Sequence, residues 1–219
     1  MNDSDLSDLV LVGYTDPTFS VQHVPILKNG TKYIAETVTR LNWKSRAVPI
    51  NRKISRFIIL RDPYERWLTA FTEDILTYIE SREDIDERVF LENLFSKNDI
   101  NWFLDFLIDR NILYFDTHAE LQCKQIELVL HCIKMDKLTF IKMTDKLGQV
   151  INTWLHEEGV RNNFNNGKIN ARDKNNDMIY KKIAAYFMDG KNLKKKEKVL
   201  EYLKPDYELI NSVRFINPT

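Results

Sequence analysis

The segment Phe57–Phe71, with the sequence FIILRDPYERWLTAF, constrains the fold more than any other part of the chain. A short apolar run ends at Arg61, and Pro63 then stands where the first turn of a helix would begin. The helix should bury a face of apolar side chains at helical spacing, namely Tyr64, Trp67, Leu68, Phe71, Ile75 and Ile79. A strand that delivers a cation to the start of a helix is typical of the sheet edge where open α/β folds bind anionic ligands.

A second segment, VPILKNGTKY at Val24–Tyr33, has the same organisation. We predict a buried strand over residues 21–27, followed by Lys28–Lys32 and then a helix with an apolar stripe. Gly30 allows a tight turn, and a helix N-terminus flanked by lysines favours an anion. The segment is not a Walker A loop, because the GxxxxGK[ST] spacing is absent. A hairpin turn at Asn29-Gly30 between two surface segments is the alternative.

The remaining pattern alternates apolar runs with amphipathic stretches, which favours an α/β fold. Phe57–Leu60 and residues 138–143 read as further strands, and helices are expected around them and at the C-terminal end. We therefore predict a P-loop-like three-layer fold, with a small central parallel sheet flanked by helices and a helix-rich chain overall. Residues 1–219 should form a single domain, in which residues 1–18 are a loose lead-in.

Composition narrows the class of function. Lys+Arg and Asp+Glu are both 32, so the formal net charge is zero, which disfavours a nucleic-acid binder. Cys123 and Cys132 form no disulfide framework, and the acidic start lacks the features of a signal peptide. No apolar run reaches the length needed to cross a bilayer. These features predict a cytoplasmic protein that uses neither a membrane nor nucleic acid as its partner.

Two motifs resemble those of sulfotransferases that use 3′-phosphoadenosine 5′-phosphosulfate (PAPS). Lys28-x-Gly30-Thr31-Lys32 after a strand resembles the 5′-phosphosulfate loop, in the form seen in heparan sulfate and other carbohydrate sulfotransferases. Residues 61–71 resemble the 3′-phosphate motif, Arg-[Asp/Asn]-Pro-x-x-Arg-x-x-Ser-x-[Tyr/Phe]. Thr69 stands where that motif has serine, and it retains the hydroxyl. Weaker similarity continues through His118 and Gln122 to Lys204–Ile210.

The resemblance implies that PAPS is the co-substrate and that no metal is required. Lys28 would contact the oxygen that bridges phosphate and sulfate, so it is both a catalytic and a binding residue. The loop residues Asn29, Gly30, Thr31 and Lys32 would hold the 5′-phosphate. Arg61 and Thr69 would hold the 3′-phosphate, a task that suits the fork of a guanidinium group.

The implied reaction transfers a sulfuryl group to a hydroxyl-bearing acceptor, for which we expect a carbohydrate. A hydroxyl needs a general base, and His118, two residues after Asp116, is the candidate because imidazole accepts protons near neutral pH. A packing role for His118 is the alternative. A catalytically silent relative that still binds the donor, and a nucleotide-dependent phosphotransferase, are the competing functions.

Overall fold

The computed structural model describes residues 9–80, 100–114, 117–133, 137–161, 164 and 174–216. The strands are β1 (Val10–Thr15), β2 (Val21–Val24), β3 (Lys44–Pro49), β4 (Ser55–Leu60), β5 (Leu138–Lys142) and β6 (Phe215–Ile216). The helices are α1 (Thr31–Arg40), α2 (Pro63–Glu80), α3 (Ile100–Asp109), α4 (Gln122–Gln125), α5 (Glu127–Cys132), α6 (Leu147–Glu157), α7 (Lys174–Met188), α8 (Leu193–Tyr202) and α9 (Lys204–Ser212). The chain is therefore an α/β protein.

The chain divides into two compact units. The sheet unit contains the described residues up to 61, those from 122 to 164, and those from 209 onwards. The helical unit contains the described residues from 62 to 121 and from 174 to 208.

A six-stranded sheet in the order β3-β1-β2-β4-β5-β6 organises the sheet unit. The strands β2, β4, β5 and β6 pair in parallel, whereas β1 pairs antiparallel with both β2 and β3. The prediction of a parallel sheet is thus right for its core and wrong for one side, where the sheet is mixed. β4 is mostly apolar and buried because both of its faces are covered.

The two faces of β4 pack against different helices. Phe57 and Ile59 join a buried cluster with side chains of α1 and α6. Ile58 and Leu60 join a second cluster with Ile126 and with side chains of α5. Successive side chains of a strand point to opposite faces. The apolar run of β4 therefore packs against helices on both faces of the sheet.

β1 corrects the prediction of a loose lead-in over residues 1–18, of which residues 9–18 are described. Its side chains alternate between exposed and buried positions, as expected for a strand with one solvated face. Gly13 makes the pairing with β2 possible, because a Cβ at this position would collide with the backbone carbonyl of His23. Within the predicted lead-in, this glycine therefore marks a close approach of two backbones.

The helical unit is built around α2. Trp67, Leu68, Phe71 and Ile75 are buried, and Tyr64 is partly buried against the same cluster, as predicted. Trp67 stacks on Phe71 at 4.7 Å between ring centroids, and its indole N–H donates to the carbonyl of Leu113 at 2.8 Å. The predicted position of Ile79 lies outside the described side chains.

Several boundaries differ from the sequence reading. The first parallel strand ends at Val24 rather than at residue 27, because the chain turns into the loop that precedes α1. α4 and α5 are separated at Ile126, so this part of the chain forms two short helices. Helices at the C-terminal end were predicted, and the structure has α7, α8 and α9 there.

Candidate functional site

The Lys28–Lys32 loop joins β2 to α1. The backbone of Lys28 is left-handed, with φ 64°, and so is that of Gly30, with φ 76°. The carbonyl of Ile26 accepts hydrogen bonds from the backbone N–H of Asn29 and from the hydroxyl of Thr31, both at 3.2 Å. The hairpin alternative is wrong, since the loop connects a parallel strand to a helix. A left-handed lysine costs on the order of 1 kcal/mol, and such strain is concentrated at functional sites.

The N-terminus of α1 has the properties of an anion site. Gly30 is the N-cap residue and provides no side-chain cap, and the first turn carries no acidic residue. The first helical hydrogen bond runs from the N–H of Ile34 to the carbonyl of Gly30, at 2.9 Å. The half-buried Lys28 and the exposed Lys32 add positive charge beside this end of the helix. Helix dipole and lysine charge therefore act in the same direction, toward an anionic group.

Arg61 follows β4 at the same edge of the sheet. β2 and β4 are adjacent and parallel, with Val24 paired to Ile58, so the loop after β2 and the residue after β4 emerge from the same end. Only 8% of the Arg61 surface is exposed. Arg61 is therefore an almost fully buried arginine at the end of a strand, and arginine is the side chain that binds anionic groups through two parallel hydrogen bonds.

The order of the strands puts these two features at a topological switch point. From β2 the chain passes through α1 to β3, on one side of β2 in the sheet. From β4 it returns to β5, on the opposite side of the sheet. The crevice between two such strands is where open α/β sheets bind ligands.

A buried network that the sequence analysis missed connects the loop to Arg61. The side-chain amide of Asn29, 1% exposed, donates to the carbonyl of Ile59 at 2.8 Å and to Oε1 of Gln122 at 2.6 Å. The same Oε1 accepts the backbone N–H of Arg61 at 3.1 Å, and Nε2 of Gln122 donates to the Arg61 carbonyl at 3.0 Å. Gln122 stands 61 residues after Arg61, so only the fold reveals this role.

Arg66 has a structural role that the sequence reading did not assign. It lies one turn into α2 and is fully buried, rather than on the helix surface. Its guanidinium donates to the carbonyl of Glu120 at 2.7 Å and to that of His118 at 3.0 Å. The second arginine of the motif therefore holds the backbone around His118 and is directed into the protein.

His118 lies in the helical unit beside Asp74. Its Nδ1 is 3.3 Å from Oδ1 of Asp74, and this contact falls outside hydrogen-bond geometry. The Asp74 side chain is fully buried, while 29% of the His118 side chain is exposed. A carboxylate beside Nδ1 favours the tautomer with a proton on that nitrogen, which leaves Nε2 as the proton acceptor. Asp116, the acidic neighbour in the sequence, lies outside the described residues.

Thr69 lies on α2 in the helical unit. Its hydroxyl donates to the carbonyl of Glu65, one turn earlier, at 2.9 Å. This bond is common for threonine within helices and leaves the oxygen able to accept another hydrogen bond. The assignment of Thr69 to a phosphate remains a prediction from the motif.

His23, on β2, is a core residue. Burial lowers its pKa to about 3, so the ring is neutral under ordinary conditions. It packs between Tyr14 and Phe57, at 6.2 Å and 4.8 Å between ring centroids.

The described residues contain neither a membrane-spanning helix nor a cluster of metal ligands. Within the described ranges, no helix is both long and apolar enough to span a bilayer. Among the same residues, no three or more His, Cys, Asp or Glu side chains are grouped to hold a metal ion. Neither Cys123 nor Cys132 is part of a disulfide bond.

The chain has no recognised relative among the known proteins with which it was compared. No family model, curated protein or solved structure matches the chain. Functional inference therefore depends on the motifs and on the geometry of the described residues.

Proposed function

We propose that this protein is a PAPS-dependent sulfotransferase that transfers a sulfuryl group to a hydroxyl acceptor, with a carbohydrate as the expected class. We further propose that its α/β fold is of the P-loop-like, three-layer kind. The observation that carries the proposal is the pairing of two cationic elements at one sheet edge. The Lys28–Lys32 loop follows β2, Arg61 follows the adjacent β4, and the Asn29–Gln122 hydrogen bonds join them.

Two anion-binding elements in a single crevice fit a ligand with two separate phosphate groups. The α1 N-terminus, with Thr31 and Lys32, suits the 5′-phosphate, and the Arg61 guanidinium suits the 3′-phosphate. A nucleotide with one phosphate chain would use only the first of these elements. The proposed donor carries a phosphate at each position, which is why we favour it over a nucleoside triphosphate.

The chemistry is an in-line displacement at sulfur. The acceptor oxygen forms a bond to sulfur while the bond from sulfur to the bridging oxygen breaks, and the electron pair stays on the 5′-phosphate. Lys28 stabilises the charge that develops on the bridging oxygen. Catalysis in such a transfer comes from positioning and charge stabilisation, as it does in phosphoryl transfer.

The proton of the acceptor hydroxyl goes to Nε2 of His118 in this proposal. Two observations within the helical unit support the assignment. Asp74 contacts Nδ1, and Arg66 holds the His118 backbone through its carbonyl. A histidine beside a buried carboxylate is a common form of general base.

The test measures transfer of sulfate from labelled PAPS to a panel of hydroxyl-bearing glycans. We expect label in a glycan product with the wild type and a loss of at least ~100-fold in rate with Lys28→Ala. Lys53→Ala is the matched control, because Lys53 is an exposed lysine that precedes β4 and so lies toward the opposite end of that strand. It should retain the wild-type rate.

Two outcomes would redirect the proposal. Tight binding of the donor without any transfer would indicate the catalytically silent relative. Transfer of label from the γ-phosphate of ATP, with none from PAPS, would indicate a phosphotransferase. Equal rates for Lys28→Ala and Lys53→Ala would remove Lys28 from the mechanism.

A further inference from the structure

We propose that Gln122 is a positioning residue that couples the two phosphate-binding elements of the donor site. The inference rests on the proposed function and goes beyond it, because Gln122 itself contacts neither phosphate in our assignment. It acts through the backbone of Arg61 and the side chain of Asn29.

Both the oxygen and the nitrogen of the Gln122 side-chain amide form hydrogen bonds. Oε1 accepts two hydrogen bonds, one from the side chain of Asn29 and one from the backbone of Arg61. Nε2 donates to the carbonyl of Arg61, so that residue is held on both sides of its Cα. Gln122 is completely buried, and a buried amide that loses a partner is expensive to leave unsatisfied.

These hydrogen bonds couple the conformation of the Lys28–Lys32 loop to that of the Arg61 backbone. A 5′-phosphate at the loop would fix Asn29, which fixes the Gln122 amide and through it the backbone that carries the Arg61 guanidinium. Binding at the first element therefore prepares the second, which is positive coupling between two sites. A side chain that cannot form these bonds would leave both elements present but no longer coupled.

Gln125 provides a matched control one turn later on α4. Its Oε1 accepts the backbone N–H of Leu27 at 2.8 Å, so it also fastens the chain next to the loop. Replacing Gln125 should loosen the loop alone, whereas replacing Gln122 should affect the loop and Arg61 together.

The experiment compares two nucleotides by calorimetric titration. Adenosine 5′-monophosphate reports on the loop, and the ratio of its Kd to that of adenosine 3′,5′-bisphosphate reports on the contribution of the 3′-phosphate. For Gln122→Met we expect weaker binding of the monophosphate and a fall of about tenfold in this ratio. For Gln125→Leu we expect weaker binding of the monophosphate and an unchanged ratio.

Thermal unfolding of each variant, read together with the ratio of the two Kd values, distinguishes coupling of the two phosphate-binding elements from a purely structural role of Gln122. A structural role would lower Tm and leave the ratio of the two Kd values as in the wild type, and that result would overturn the inference. Failure of the wild type to bind the bisphosphate would instead overturn the proposed function. The two failures are therefore distinguishable.

Gln122→Glu keeps the inference testable if the methionine variant does not fold. A carboxylate at this position accepts hydrogen bonds but cannot donate to the Arg61 carbonyl, whereas a protonated carboxyl group can. Because Gln122 is completely buried, burial should raise the pKa of a carboxyl group at this position. We therefore expect a reduced ratio at pH 8 and recovery at pH 6 toward the ratio of the wild type at the same pH. A ratio equal to that of the wild type at both pH values would contradict the coupling.

Discussion

At the scale of single residues, the helical unit surrounds His118 with two buried charged groups. Asp74 contacts the Nδ1 nitrogen of the ring, and Arg66 binds the backbone carbonyls of His118 and Glu120. These contacts are compatible with both roles predicted for His118, the general base and the packing residue, and the kinetics of variants distinguish the two roles.

Replacing His118 should affect the chemical step and leave donor binding intact. We expect His118→Ala to lower kcat by ~10²- to 10⁴-fold, the usual contribution of a general base, without changing the Kd for adenosine 3′,5′-bisphosphate. Asp74→Asn should produce a smaller loss of kcat, because it removes the orienting charge but keeps the shape.

The control for this prediction is His131→Ala, on the exposed side of α5, which should behave as the wild type. Added imidazole should restore part of the rate of His118→Ala. An unchanged kcat in His118→Ala would show that the base lies elsewhere.

The sequence identified residues whose chemistry is local and missed residues whose partners are distant. Lys28 and Gly30 could be found because strand, glycine, lysine and helix follow one another within a few positions. Asp74 could not be found, since it belongs to no pattern with its neighbours. Gln122 appears in the weaker part of the resemblance, but its hydrogen bonds to Asn29 and Arg61 depend on the fold. Arg66 was visible in the motif, but the side of α2 on which it lies depended on packing.

At the scale of elements, the turn from β2 into α1 depends on a residue that tolerates positive φ. Gly30 has φ 76° at the N-cap of α1, and Gly159 has φ 74° just after α6. A side chain at either position would be strained by ~1 kcal/mol or more. The two glycines have similar φ angles, but only Gly30 lies in the candidate phosphate loop. Gly159 can therefore serve as the control for Gly30.

We predict that Gly30→Ala and Gly159→Ala lower the free energy of unfolding by similar amounts, on the order of 1 kcal/mol. Gly30→Ala should also weaken binding of adenosine 5′-monophosphate, because it alters the backbone that would contact the phosphate. Denaturant unfolding and calorimetric titration of both variants give the comparison. Equal nucleotide affinity in the two variants would argue against a phosphate at this loop.

Among the elements, the parallel strands were easier to predict than the antiparallel ones. β4 and β5 are continuous apolar runs followed by helical patterns, which identify buried parallel strands. β1 follows a short acidic stretch, and β3 is a polar strand at the edge of the sheet. Their pairing depends on contacts such as that of Gly13 with β2, which no local pattern in the chain describes.

At the scale of the whole molecule, the stability of the fold should depend on pH through His23. Burial lowers the pKa of this histidine to about 3, from a reference of about 6.5. The unfolded chain therefore binds a proton that the folded protein does not, throughout the range between these two values. Stability is highest above pH 6.5 and falls as the pH decreases toward 3.

Between pH 7.5 and pH 5, this single group should reduce the free energy of unfolding by ~2 kcal/mol. His23→Leu should lack that part of the pH dependence, whereas His156→Leu, at an exposed position near the end of α6, should retain it. Denaturant unfolding of the three proteins at both pH values measures the difference. If the free energy of unfolding fell by the same amount in the wild type and in His23→Leu, that result would contradict the burial of a neutral ring.

The central claim is that the carboxyl edge of β2 and β4 binds a nucleotide through a phosphate at each end. Calorimetric titration of the wild type and of Arg61→Ala with adenosine 3′,5′-bisphosphate tests it most directly, with Arg52→Ala as a charge-matched control before the opposite end of β4. We predict binding to the wild type and to Arg52→Ala, and a loss of at least ~10-fold in affinity for Arg61→Ala. Absence of binding to the wild type, or equal affinity in all three proteins, would contradict the account.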